Sequence, residues 1–376
     1  MCGAQSSSVR LRWRREMLET RAGEVISRQA LDSGTLLLDV QVEDARHRAL
    51  AYRSLTGDVR EGDQVLINTT AGTLGLGTGG FDFVVANLSR PSGVAGAGPG
   101  HIIKLRYTPH QFSVLADEEA QPDLYWQASD IGGMPVVAAF LHSQVALVAA
   151  GVKAARPEAK VAYVMTDGAA LPIGVSNLVR GLLAEGLLDE TITCGQAFGG
   201  MRETVNVYSA LICARHAARA DVAIVCQGPG NVGTGTPLGY SGVEAGQVIN
   251  ASHALGGRPV CAVRMSRADP RRRHTLISHH TLTALARIAL AAALVPLPGM
   301  EPDDEAEAIR QLDELKLFER HEIRSFDGRP GITLLEKSGL DVSSMGRRFA
   351  DDPLFFLAGC AAGAAAAALL DEDFQG

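Results

Sequence analysis

The chain has no pair of cysteines at CxxC spacing, and aromatic residues make up only 5 % of it. Its six cysteines, Cys2, Cys194, Cys213, Cys226, Cys261 and Cys360, are scattered. That pattern argues against a disulfide framework and for reduced thiols in a cytoplasmic protein. Surplus positive charge is also missing. A net charge of −7 argues against generic nucleic-acid binding, which needs excess Lys and Arg to neutralise phosphates. No apolar run follows the basic, Ser-rich start of the chain, so no secretory signal is expected. One nearly uncharged stretch, Leu354–Leu370, spans 17 residues. It is mostly Ala and Gly, weak membrane formers, and reads as a buried, close-packed helix with no membrane partner.

What is present is 46 % apolar residues and 41 glycines in 376 residues. A length of two domains at ~100–200 residues each, with Ala/Val/Leu cores and many tight loops, fits an α/β protein. Candidate strands Val9–Arg14, Gly23–Arg28, Thr35–Val42, His47–Tyr52, Asp63–Asn68 and Asp82–Leu88 are separated by turn signals such as Glu61-Gly62-Asp63. Short, evenly spaced strands predict a small all-β barrel or sandwich over residues 1–90. Residues 91–133 read as a linker and connecting segment, with a strand-like Ile102–Tyr107.

From Pro135 the pattern changes. Apolar runs at Pro135–Leu141, Lys160–Met165, Thr191–Gly195, Asp221–Cys226, Arg258–Met265 and Ala292–Leu297 alternate with helical spacing. The helical segments are Ser143–Ala155, Ser176–Glu185, Glu203–Arg219, Val243–Leu255 and Thr281–Ala291. This alternation predicts a parallel, Rossmann-like sheet with helices on both faces over residues 134–300. Residues 301–376 read as a C-terminal helical extension packing on it, with an acidic helix at Asp303–Phe318 and an edge strand at His321–Phe326.

Such sheets bind ligands outside the carboxyl ends of their strands. Those ends carry Asp167-Gly168, Cys194-Gly195-Gln196, Gln227-Gly228 and Arg264. The longest feature is the glycine loop Gly228–Gly239, with Gly228, Gly230, Asn231, Gly233 and Thr234. Glycines let backbone N–H groups approach a ligand, and a following helix N-terminus favours an anion. Gly228, Gly230 and Gly233 satisfy G-x-G-x-x-G, with Arg264 and Arg267 placed for a 2′-phosphate. Pro229 removes a donor, however, and Pro237 delays the helix. The loop also has a purely structural reading, as a crossing over the sheet top to another domain or subunit.

Asp167 and His279 are the candidate catalytic pair, a carboxylate and an imidazole in acid–base roles. Ser278 reads as the N-cap of the helix that follows it. No metal set is assigned. His274 and His279 with Asp167 or Cys194 would suit zinc chemically but match no standard spacing. Cys194 reads as a small buried hydrophobe.

Several segments together resemble the bacterial domain of unknown function 3866 family. They are Leu66–Ala71 with Leu76-Gly77-Thr78-Gly79-Gly80, Arg106-Tyr107-Thr108-Pro109, Tyr163–Gly168, Gly195–Gly200, Gln227–Thr236, Ser278-His279-His280 and Ser344-Met345-Gly346-Arg347. The resemblance spans nearly the whole chain. It implies a shared fold and carries no activity, cofactor or functional residue with it. The leading expectation is an enzyme acting on a small polar or anionic ligand held at the sheet edge by Gln196, Gln227, Arg264 and the glycine loop. The alternatives are a non-catalytic sensor of such a ligand, a structural homo-oligomer packed through the loop and Leu354–Leu370, and an NADP-dependent oxidoreductase.

Overall fold

The computed structural model describes residues 18–77, 79–91 and 100–372. The candidate strand Val9–Arg14 and most of Arg90–Gly100 lie outside them. The chain divides into two compact units, one running to Val94 and one from Ala95.

In the first unit β1 (Thr20–Ala30), β2 (Thr35–Val42), β3 (Ala45–Tyr52), β4 (Gln64–Asn68) and β5 (Asp82–Asn87) close into a barrel in the order β1-β2-β3-β5-β4. Period-two patterning builds it. Leu36, Leu38, Val40 and Val42 are buried, while Leu37, Asp39 and Gln41 between them are only half-buried. A bulge between Val25 and Ser27 bends β1, which pairs antiparallel with both β2 and β4. Gly23 permits the closure, because a Cβ there would stand 2.6 Å from the Gln41 carbonyl oxygen.

The second unit opens with a hairpin of β6 (Ile102–Lys104) and β7 (Phe112–Val114). The sheet strands are β8 (Pro135–Ala138), β9 (Val161–Thr166), β10 (Glu190–Thr193), β11 (Arg202–Glu203), β12 (Val222–Gln227) and β13 (Arg258–Cys261). A side hairpin of β14 (Met265–Ser266) and β15 (Leu276–Ile277) precedes β16 (Leu294–Pro298) and β17 (Glu322–Phe326). Eight strands form a parallel sheet in the order β11-β10-β9-β12-β8-β13-β16-β17. Every residue of β8, β9 and β12 is buried, so both faces of the sheet are covered there.

Several boundaries differ from the sequence reading, each for a local reason. The run Arg258–Met265 is not one strand. Gln144 caps its end, donating Nε2–H to Ala262 O at 2.9 Å while Oε1 accepts the Phe140 and Leu141 N–H groups at 2.9 and 3.1 Å. The helix expected from Glu203 starts at Val207, where the Asn206 side chain accepts the Tyr208 and Ser209 N–H groups at 2.9 and 3.1 Å. The helix expected from Thr281 starts at His279, with Ser278 Oγ accepting the His280 N–H. Helix Arg329–Ser338 has no counterpart in the sequence reading.

Helix Pro353–Leu369 lies against helix Gln144–Ala155 at backbone distance. A Cβ at Gly151 would stand 2.1 Å from Cys360 O, one at Gly363 2.1 Å from Val148 O, and one at Gly359 2.6 Å from Leu147 Cβ. Its Ala and Gly residues are therefore packed within the chain. No helix among the described residues is long and apolar enough to cross a membrane. Replacing Gly151 by Val should force these helices apart and cost about 1–3 kcal/mol or more, read as a lower urea midpoint at unchanged m-value.

Candidate functional site

Strand order places the site. From β8 the chain moves past β12 to β9 and then outward to β10. It then returns to insert β12 between β9 and β8, and proceeds the other way to β13, β16 and β17. The chains leaving β9 and β12 thus run in opposite directions from neighbouring strands, which opens a crevice at their carboxyl ends. Thr166-Asp167-Gly168 leave one strand and Gln227-Gly228 the other.

At this crevice Glu244, in the first turn of helix Glu244–Ala254, accepts a 2.5 Å hydrogen bond from Thr166 Oγ1. A Cβ on Gly168 would stand 2.8 Å from Gln227 Oε1 and 2.9 Å from Glu244 Oε2, so both oxygens face the bare Gly168 backbone. Burial, and less strongly the Asp167 carboxylate, push Glu244 up to about 7 against the opposing Thr166 hydrogen bond. Gln227 is 0 % exposed; its Nε2 reaches Phe140 O at 3.4 Å, and its Oε1 has no partner among the described residues.

Asp167 is exposed and fixes a turn. Its Oδ2 accepts the Gln196 N–H at 2.8 Å, with Gly195 at φ +65° giving the required approach. Gln196 Oε1 accepts the Arg106 N–H at 3.2 Å, and its Nε2 has no partner among the described residues. The Gly195–Thr204 segment is anchored by Lys104. Its fully buried ammonium donates to Gly195 O at 3.0 Å, Ala197 O at 2.9 Å and Thr204 O at 3.3 Å, and pairs with Glu203 at 3.2 Å. Cys194 is 3 % exposed and burial raises its thiol to about 12, so it is no nucleophile.

Beside Gln227 runs a buried relay. Ser176 Oγ stands 2.7 Å from His142 Nε2, His142 Nδ1 stands 3.1 Å from Tyr163 Oη, and Tyr163 donates to the Cys226 and Gln227 carbonyls at 3.2 Å. Burial drives His142 down to about 4, so the imidazole is neutral and bridges two hydroxyls. Ser176 also caps its helix by accepting the Val179 N–H at 3.1 Å.

The other end of the glycine loop meets a second cluster. Tyr240 stacks on His280 at 3.8 Å, with the ring planes 1° apart, and donates to His280 O at 2.7 Å. One nitrogen from each of His274, His279 and His280 can be chosen so that all three lie within 4.8 Å of one another. Burial first, then the surrounding guanidiniums, lower His274 to about 3 and His280 to about 2, and lower His279 as well. Arg264 is buried, lowered to about 10 by desolvation, and held by Asp269 at 3.3 Å and His280 Nδ1 at 3.2 Å. Asp269 also takes Arg271 at 2.7 Å.

The structure therefore divides the sequence-derived residues into two groups. Asp167, Gln196, Gln227 and Gly228 lie at the β9/β12 crevice. Arg264 and His279 lie in the arginine–histidine cluster. Gly230, Asn231, Gly233 and Thr234 are in the loop between them, where Asn231 Oδ1 accepts from Ser241 Oγ at 2.6 Å and Gly233 bridges to Tyr240. No hydrogen bond or ring contact joins Asp167 to His279. Arg264 is enclosed in its ion pair, and the exposed Arg267 bonds Asp304 at 2.9 Å. The helix after the loop begins only around Ser241. His142 and Thr166 were legible as polar residues at strand ends, though given no role; Glu244, Tyr163, Ser176 and Lys104 were missed. Glu244 could have been found as an acidic residue opening the helix after the glycine loop. The other three sit within apolar or helix-start patterns that give no signal.

The three-histidine cluster suits a metal in donor type, but its surroundings do not. Arg264 already points a guanidinium N–H at His280 Nδ1, and Arg271, Arg273 and Arg264 all raise the positive potential at the imidazoles. In a separate cleft of about 430 Å³ beyond β16 and β17, lined by Glu301, Asp304, Asp327 and Arg329 among others, Asp304 pairs with Arg267 and Asp327 accepts the Arg329 N–H.

These features define an α/β protein with a polar, glycine-bearing carboxyl edge and a separate barrel unit. The chain belongs to the family described as Protein of unknown function (DUF3866), whose model matches residues 48–363. This agrees with the motifs. No curated protein matches the chain.

Two predictions follow from the geometry. Lys104→Met leaves three carbonyls without their donor and Glu203 without its cation. It should cost about 3–5 kcal/mol, seen as a lower melting temperature. Glu244 has a folded pKa above its unfolded value, so the folded state binds more protons between about pH 4.5 and 7. Stability should fall as pH rises through that window, by at most about 3 kcal/mol. Glu244→Gln should remove that slope from urea-denaturation curves taken at pH 5, 6, 7 and 8.

Proposed function

We propose that this protein is an enzyme acting on a small polar ligand bound between the β9 and β12 ends, with Glu244 exchanging a proton with it. The observation that carries the reading is Gln227. A buried carbonyl oxygen without a donor costs about 1–3 kcal/mol, and a ligand N–H or O–H placed there removes that cost. Beside it stands a carboxyl near 7, poised to give or take a proton at neutral pH. Thr166 orients this carboxyl, and Gly168 leaves the approach to it free of side chain. Asp167 shapes the neighbouring turn and has no direct chemical step. The doubly wound, Rossmann-like character of the sheet supports this location, since its crossovers reverse at these strands.

Thermal-shift screening of the full chain against small polar metabolites tests this. A stabilising compound should lose its effect on Gln227→Leu. Glu244→Gln should still bind it but lose turnover by about 10²–10⁴-fold, with the wild-type rate titrating near pH 7. Wild-type binding and turnover in Gln227→Leu would refute the placement. Binding with no turnover by any pH would leave a ligand-binding module and refute the catalytic part.

A further inference from the structure

We propose that the tip of the glycine loop, with Arg273 and His279, is an oxyanion site that takes a phosphate or carboxylate group. The inference extends the reading above by giving the ligand an anionic end, but it stands on different residues.

Arg273 is the first observation. Among the described residues Arg264, Arg271 and Arg347 are paired with Asp269, and Arg347 also with Asp352. Arg273 is exposed and has no ion pair among them. Its guanidinium lies 3.9 Å from the point where a Cβ on Gly235 would stand. It is thus a free cation directly against the loop.

His279 is the second. Its Nε2 is shielded from solvent and has no hydrogen-bond partner among the described residues. Its ring lies 5.8 Å from that of Tyr240 at the end of the loop, and burial first, then the Arg273 charge, keep the imidazole neutral. A neutral imidazole with its proton on Nε2 offers one N–H to an anion.

The loop is the third. Its base is fixed by Thr234 N–H to Gly239 O at 2.8 Å, Ser241 N–H to Val232 O at 2.9 Å and Val232 N–H to Ser241 Oγ at 3.1 Å. A Cβ on Gly239 would stand 2.3 Å from Thr234 Oγ1 and 2.4 Å from Thr236 Oγ1, so the two threonine hydroxyls pack over its bare backbone. At the tip Gly235 has φ +80°, and the Gly235 and Thr236 N–H groups have no partner among the described residues. A guanidinium fork, an imidazole N–H and free backbone amides together form the donor set an oxyanion requires.

Charge selects an anion over a metal. Four guanidiniums, Arg264, Arg271, Arg273 and Arg347, face two carboxylates, Asp269 and Asp352, and the three imidazoles are neutral. A divalent cation at His274, His279 and His280 would meet that excess positive charge and would also have to displace Arg264 from His280 Nδ1.

Isothermal titration of the full chain with inorganic phosphate, and separately with acetate, at pH 7.5 and low salt tests the site. At least one anion should bind saturably at one site per chain, and which of them binds assigns the group. Arg273→Ala and His279→Gln should each weaken it about tenfold or more. Glu244→Gln and Gln227→Leu should leave it unchanged, so this site and the proposed active site fail separately. NMR titration of the histidines should show the His279 pKa rising on anion addition, a change that a merely structural role would not produce. Arg273 is exposed, and the melting temperature of its variant should match wild type. Absence of saturable binding by either anion overturns the proposal. So does wild-type affinity in both variants, or stoichiometric Zn²⁺ binding with phosphate bound only in its presence.

Discussion

The arrangement at the carboxyl edge depends on two loops that must pass each other at backbone distance. The chains leaving β9 and β12 start from adjacent strands and run in opposite directions. They touch where Ala170 N–H donates to Pro229 O at 3.0 Å. A Cβ at Gly228 would stand 2.4 Å from Ala170 O, and one at Gly195 2.3 Å from Asp167 Oδ2. Glycine at 228 is therefore a steric condition of the crossing, while Gly168 and Gly195 leave room for the Gln227, Glu244 and Asp167 side chains beside it. Because the crossing is so tight, the side chains flanking it, Gln227, Thr166 and Glu244, are pressed together out of solvent. The raised Glu244 pKa and the unpartnered Gln227 oxygen both follow from that compression.

The two ends of the glycine loop differ in charge for a related reason. At its start, burial acts on carboxyl groups and drives Glu244 toward neutrality. At its far end, burial acts on imidazoles and on a guanidinium, and the histidines are neutral because a proton there would add to the nearby arginines. One loop thus spans from a region that holds protons on oxygen to one that keeps them off nitrogen. Asp269 is what makes the second region stable. Against the cost of its own burial it is held below the usual carboxylate range by Arg271, and it accepts Arg264 as well.

Much of this frame was legible in the sequence. Period-two patterning located β2 to its residue limits, and the apolar runs located β8, β9 and β12, because strands buried on both faces are continuously hydrophobic. Ser278 read correctly as a cap. Boundaries set by side chains were not legible. Gln144 ends β13 from more than a hundred residues away in the chain. Asn206 delays a helix whose spacing already looked helical from Glu203. At the site, residues at strand ends were readable because topology puts every such end on one edge. Which of them meet was not. Asp167 and His279 were paired on chemistry alone; Asp167 is held in the turn at Gln196, and His279 meets the edge of Tyr240 in the arginine–histidine cluster. Glu244 was hidden inside an ordinary helix start, since its pKa is a property of Thr166, Asp167 and burial rather than of local sequence.

The contrast among the buried polar groups is itself informative. Lys104 is as deeply buried as any side chain here, yet its ammonium has three carbonyls and a carboxylate. Gln144, Arg264 and the Ser176–His142–Tyr163 relay are similarly paired. Folded proteins rarely leave such groups unmatched, because each costs free energy comparable to a lost hydrogen bond. Shielded side-chain atoms without a partner among the described residues include Gln196 Nε2, Ser252 Oγ and Asp352 Oδ1 as well as Gln227 Oε1 and His279 Nε2, and the last two lie toward opposite ends of the glycine loop. The fold satisfies a buried lysine from four directions, yet it leaves the Gln227 amide oxygen at the carboxyl edge without a donor among the described residues.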